Sequence, residues 1–160
     1  MSLQGIIGTL LSALLLLRAF PAAAAMEGVE MEPLFFGQII ITDNTAVRSC
    51  TIAAGGSETC DAEIAVLVPG QYGVFRLSGF DPDVTLWASV ADATLTGPGS
   101  WIFDLNTFTF DPDIHDINTA QTPDASGTLT LNIGATLDTR ANESYQTDPY
   151  RGTYTLQINY

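Results

Sequence analysis

Few side chains in this sequence could do chemistry, and their spacing limits what that chemistry would be. His115 is the only histidine, with Asp113 and Asp116 on either side. A Ser-His-Asp hydrolase would need that imidazole as its base. No G-x-S-x-G elbow exists to present a nucleophile, and a lone histidine in a polar stretch is ordinarily solvated. Asp111, Asp113 and Asp116, with Asp104 on the preceding segment, gather carboxylates of the kind calcium takes, roughly six to eight oxygens per ion. The glycine and distal glutamate of an EF-hand loop are missing. Trp87 and Trp101 could form a sugar-stacking platform, but each sits in an apolar strand context where core packing is the usual role. No carboxylate pair stands out for glycoside hydrolysis. Asn142-Glu143-Ser144 is a glycosylation sequon, relevant only in a host with that machinery. The expectation is a non-enzymatic protein with no catalytic residue, metal or cofactor.

Cys50 and Cys60 are the only cysteines. Their spacing is not a metal-binding one and no histidine lies near them in sequence, so a structural disulfide in an oxidising compartment is expected. It would close the flexible Ala53-Ala54-Gly55-Gly56-Ser57 loop and contribute roughly 2–3 kcal/mol.

Charge excludes some partners. Eighteen acidic residues face five arginines and no lysine, for a formal net charge of −13. Such a surface repels phosphate backbones, so no nucleic acid is expected, and it also repels anionic lipid. The acidic residues all follow residue 25. Before them come an apolar run from Ile6 to Leu17, then Pro21 and the small-residue stretch Ala23-Ala24-Ala25, the pattern of a cleaved secretory signal. About a dozen apolar residues is short of the roughly twenty that span a bilayer. Residues 1–25 read as a signal peptide and 26–160 as a single domain with no later membrane span.

The elements that must position these groups read as strands. Leu34 to Ile41, Ala46 to Ile52, Ala62 to Val68, Gly73 to Ser78, Val84 to Val90, Ala93 to Leu95, Trp101 to Phe110 and Gly127 to Leu137 are β-prone runs separated by turn residues. Trp101, Phe103 and Leu105 share one side of their run before the pattern shifts to Phe108 and Phe110. Asp111 to Ser126 reads as a long polar loop. The last run, Gly152 to Tyr160, alternates strictly and predicts a strand with Tyr154, Leu156, Ile158 and Tyr160 on its buried face. About seven to nine short strands imply an all-β, antiparallel sandwich of immunoglobulin-like type, with a jelly roll as the alternative. F-D-P-D occurs twice, at Phe80 and Phe110, without a surrounding repeat.

Three stretches carry a family resemblance. Leu34-Phe35-Phe36-Gly37, Gly127-Thr128-Leu129-Thr130-Leu131-Asn132-Ile133-Gly134-Ala135-Thr136-Leu137 and Gly152-Thr153-Tyr154 through Tyr160 resemble, in order and spacing, the bacterial secreted domain of unknown function 4402 family. That family is similar in appearance to spore coat protein U and the archaic chaperone–usher pilins. The resemblance implies a pilin-like immunoglobulin sandwich lacking one strand, in the periplasm or on the surface of a Gram-negative bacterium. Its expected role is a structural or adhesive subunit of a fibre or coat, assembled by strand addition. Its expected partners are like subunits, a periplasmic chaperone and an outer-membrane usher. The groove strand would carry Tyr154, Leu156, Ile158 and Tyr160. The donor would come from Met26 to Pro33, where only Val29 and Met31 alternate with glutamates. The competing expectation is a monomeric extracellular module that binds carbohydrate or makes calcium-dependent contacts.

Overall fold

The structure is a computed structural model describing residues 25–147 and 149–160; the expected signal peptide falls, apart from Ala25, outside the described residues. Eleven strands follow one another: β1 (Glu27–Glu32), β2 (Gln38–Ile41), β3 (Ser49–Ile52), β4 (Glu58–Cys60), β5 (Ile64–Val68), β6 (Gly73–Ser78), β7 (Trp87–Val90), β8 (Ala93–Thr96), β9 (Ile102–Asp111), β10 (Leu129–Asp138) and β11 (Leu156–Asn159). Every strand pairing is antiparallel. One 3₁₀ turn at Pro98–Ser100 is the only helical element among the described residues. The chain is therefore all-β and antiparallel, with more strands than the seven to nine expected.

The extra strands have physical reasons to be invisible in sequence. All six side chains of β1 are exposed, so no buried face signals it. β4 has three residues and lies inside the cysteine loop. The Leu34 to Ile41 run is broken at Gly37, whose φ is +74°, where a side chain would collide with the Val68 carbonyl. Phe35 then makes a two-bond bridge with Gln71, and β2 begins only at Gln38.

β10 is the central strand. One edge pairs with β9 from Asn132 to Asp138. Its other edge is shared end to end: Leu129–Ile133 pair with β6 and Ala135–Asp138 pair with β3. Gly134 sits at that junction, where a Cβ would run into the Ile52 carbonyl and the Ala54 amide. β1 continues the sheet beyond β6, β4 beyond β3 and β8 beyond β9. Two smaller ladders, β7–β11 and β2–β5, complete the chain.

Alternation builds the core from one face of β10. Leu131, Ile133, Ala135 and Leu137 are all buried. Leu156, Ile158 and Ala88 from the β7–β11 ladder pack with Leu131 and Ile133, while Ile39 and Ile41 of β2 pack with the cluster holding Ala135 and Leu137. The polar Asp111 to Ser126 connection contributes Ile114, which is fully buried in the first of these clusters. Nothing in its polar surroundings marks it. The Ala141 to Tyr150 connection is pinned by its tyrosines. Tyr145 stacks on Phe103 at 4.2 Å, and its hydroxyl bonds the Ile102 carbonyl and the Arg140 amide.

The shift of pattern within β9 is a β-bulge. Gly134 opposes Thr109 and Thr136 opposes Asn106, so Thr107 and Phe108 together face Ala135. Phe103 and Leu105 thereby share the core face with Phe108 and Phe110. The bulge puts exposed Thr107 at φ +48°, a region costly for a β-branched residue. Its hydroxyl bonds only the neighbouring Asn106 side chain. Thr107→Gly should therefore stabilise the fold by about 1 kcal/mol, raising the melting temperature by roughly 2–6 °C. A thermal melt showing a lower midpoint would contradict this account of the bulge.

Candidate functional site: an unpaired strand edge

The chemistry-bearing residues do not converge. Asp104 is engaged by Arg140 through two bonds of 2.9 and 2.7 Å, which hold its carboxyl below the ordinary range. It faces Asp138 on β10, whereas Asp111 faces Asn132, about 20 Å further along the ladder at ~3.3 Å per residue. The expected approach of Asp104 to the Asp111–Asp116 loop is therefore overturned. Within that loop His115 lies between two carboxylates. Nδ1 is hydrogen-bonded to Asp113 and Nε2 lies 3.2 Å from Asp116. The bond to Asp113 raises the imidazole's pKa and lowers that of Asp113. All three groups are exposed, and both ring nitrogens are already engaged.

Among the described residues the only close group of metal-type donors is Cys50, Glu58 and Cys60. The two cysteines are joined in a disulfide across the β3–β4 hairpin, where they are direct cross-strand partners. Trp87 opens β7 opposite Asn159, and Trp101 lies just before β9, in a different ladder. Each is only half-buried and the two form no ring pair.

What the structure does present is an unpaired edge. β11 pairs on one side with β7, and among the described residues no strand pairs on its other side. The direction of each main-chain group follows from the bonds around it. Leu86 exchanges two bonds with Gln121, and Ala88 donates to the Ile114 carbonyl, so both point away from β11. In an antiparallel pair their partners point away as well. Ala88 faces Ile158 and Val90 faces Leu156. The N–H and C=O groups of Leu156 and Ile158 therefore face the free edge, while Gln157 and Asn159 spend theirs on β7. Upstream, Arg151 exchanges two bonds with Thr96 on the same side as β7.

The side chains on this strand follow the expected alternation only in part. Tyr154, Leu156 and Ile158 are half-buried and pack toward the core. Tyr160 does not belong to the buried face: it is 64% exposed, with its ring 6.0 Å from Phe80. β11 ends at Asn159, so the alternation beyond it is no longer held by pairing. Val29 and Met31, expected as a donor segment, lie on β1, laddered to β6 of the same chain. They remain 40% and 58% exposed. A bulge at Met31 separates the Glu30–Phe75 and Glu32–Val74 pairs.

Residues 28–160 match the family described as Domain of unknown function (DUF4402). The chain belongs to the DUF4402 family. No curated protein and no solved structure matches it. The three stretches that carry the resemblance fall, in this DUF4402 chain, on the Gly37 break before β2, on the central strand β10 and on the free-edged β11.

One residue at this edge was not singled out by the sequence for what it does. The Tyr154 hydroxyl is buried and has no hydrogen-bond partner among the described residues. Its ring packs edge-on against Phe75 at 6.2 Å and against Phe108 at 5.5 Å. Burial, with a smaller effect from the Glu30 carboxylate, pushes the phenol up to about 12. A raised phenol pKa means the folded state keeps a proton that the unfolded state releases above pH ~10, so the stability it contributes is complete below that and lost as pH rises toward 12. One tyrosine should accordingly ionise last in an absorbance titration, and Tyr154→Phe should remove that late step. Freed of an unpartnered hydroxyl, Tyr154→Phe should also be neutral or stabilising, by up to about 1 kcal/mol. A marked loss of stability would mean that the hydroxyl has a partner.

Proposed function

We propose that this protein is a secreted, non-enzymatic structural or adhesive subunit of a bacterial surface fibre or coat, assembled by adding a strand to the free edge of β11. The observation that carries the reading is the strand order. An immunoglobulin domain of the constant type places strands A, B, E and D in one sheet and C, F and G in the other. Taking β1, β6, β7, β9, β10 and β11 as A to F gives β1-β6-β10-β9 in one sheet and β7-β11 in the other. Both orders are compatible with the immunoglobulin pattern, with β8 added beyond β9, and on this reading strand G would belong on the outer side of β11. The β2–β5 and β3–β4 pairs are then an insertion on the connection between A and B. This supports the pilin-like reading suggested by the family resemblance, in which a neighbour supplies the seventh strand.

The donor is best sought in β1 of another copy. Within its own chain β1 is held by main-chain pairing to β6, and none of its side chains is buried. Moved onto the β11 edge, Val29 and Met31 would gain cover, and burying a side chain of that size is worth about 1.5–3 kcal/mol. A periplasmic chaperone would hold the same edge before assembly, since an open edge with apolar neighbours invites wrong pairing. An usher at the outer membrane would be the site of exchange.

Exposed positions allow a clean test. Val29→Asp with Met31→Asp changes only exposed side chains, so monomer stability should move by no more than about 0.5 kcal/mol. The same pair should abolish multimers that survive SDS without boiling and collapse to monomer on boiling. Wild-type protein that is exported, folded and monomeric in both lanes would remove the assembly reading.

A further inference from the structure

β1 is connected, through Phe75 and the Leu34 segment that follows it, to the residue that leads into the acceptor strand. Glu30 pairs with Phe75, and the Phe75 ring lies against Tyr154. Beyond β1 the chain passes through Pro33 to Leu34. A Cβ built on Gly73 would lie 3.1 Å from both the Leu34 nitrogen and the Tyr154 hydroxyl oxygen. Gly73 thus leaves room for the Tyr154 hydroxyl beneath the start of the Leu34 segment. The hydroxyl is enclosed there without a partner. Leu34 thus lies beside the hydroxyl and the Glu30 carboxylate acts on it electrostatically, so the chain from the end of β1 into Leu34 forms one side of its enclosure. Tyr154 itself lies two residues before Leu156, the first residue of β11.

We propose that Tyr154 couples the two ends of the subunit: its unpartnered hydroxyl keeps β1 loosely held, and release of β1 hydrates that hydroxyl beside the acceptor edge. A buried hydroxyl without a partner is penalised, and water removes the penalty. The penalty exists only while β1 and the Pro33–Leu34 exit are seated. Departure of β1 therefore recovers it, and detachment is easier than the β1–β6 ladder alone would allow. No side chain of β1 is itself buried, so departure uncovers little apolar surface of the strand's own. Tyr154 is here a positioning residue acting through β1. The consequence for assembly rests on the strand-addition reading, while the coupling itself is a property of the monomer.

The test is made on the full mature chain as a monomer. Limited proteolysis within residues 26–33 reports opening of β1. Tyr154→Phe, which keeps the ring and removes the hydroxyl, should slow that cleavage about fivefold. Cleavage at an exposed turn such as Asp124 to Ser126 should not slow with it. The reverse experiment unpairs β1 by Glu27→Pro with Val29→Pro, the positions that face Ser78 and Arg76 and whose N–H groups point to β6. The late-ionising tyrosine should then titrate near its ordinary value, and the shift should be absent when Tyr154→Phe is added. Equal cleavage of wild type and Tyr154→Phe, or a late tyrosine that persists with β1 unpaired, would overturn the coupling. Either result can be read whether or not the protein forms multimers, so loss of the coupling and loss of the fibre reading remain distinguishable.

Discussion

The arrangement depends on β10 being paired by three strands at once. A strand has two edges, and β10 serves β9 on one and both β6 and β3 on the other. That is possible only if β6 ends where β3 begins, and Gly134 marks the change. A side chain there would meet main chain from Ile52 to Ala54 rather than a flexible neighbour. The close approach lets the insertion carrying the disulfide hairpin dock on the same strand as the β1–β6 pair. It also fixes the row Leu131, Ile133, Ala135 and Leu137 as the floor on which both smaller ladders rest. The register of β10 cannot slip by one residue without turning that row to the other face.

From that floor the character of β11 follows. Its inward side chains have cover from β10, β7 and Ile114, which is enough to hold Tyr154, Leu156 and Ile158 half-buried. Among the described residues its main-chain groups are paired on only one side. The edge is thus well positioned and incompletely used, the combination expected of an acceptor for strand addition. Polar main-chain groups in water are not strained, so the monomer can persist. The proposed assembly would be driven by the apolar cover a donor strand adds. In the proposed assembly the strong negative charge would act the other way, keeping subunits apart until specific pairing overcame repulsion.

Much of the fold was legible in the sequence because it is written in alternation. Gly73 to Ser78 and the Leu129 to Leu137 alternation appear as strands at or near the expected bounds, and the cysteines pair as expected. The change of side in β9 was visible as a break in pattern, and three-dimensional pairing identified it as a bulge. Other features depend on contacts that local sequence does not encode. β1 has no buried face, Ile114 is an apolar residue in a polar connection, and Tyr160 continues a pattern past the end of its pairing. The candidate site was legible in its residues as a strand, and as an edge only through what the family resemblance implies. Which side of β11 is free depends on the Leu86–Gln121 bridge and the Ala88 bond to Ile114, both between segments distant in sequence. Asp104 illustrates the same limit: close to the acidic loop in sequence, it is turned to Arg140 at the far end of the ladder.

Strand addition at β11 depends on which of its amides are free. Residue-resolved hydrogen exchange on the monomer, repeated with a saturating synthetic peptide of the sequence Met26 to Pro33, measures this directly. Gln157 and Asn159 should be protected from the start, because β7 accepts from them. Leu156 and Ile158 should exchange rapidly in the free monomer and become protected when the peptide is added. Protection of Leu156 and Ile158 in the monomer, or rapid exchange at both under saturating peptide, would contradict the claim that this edge accepts the strand.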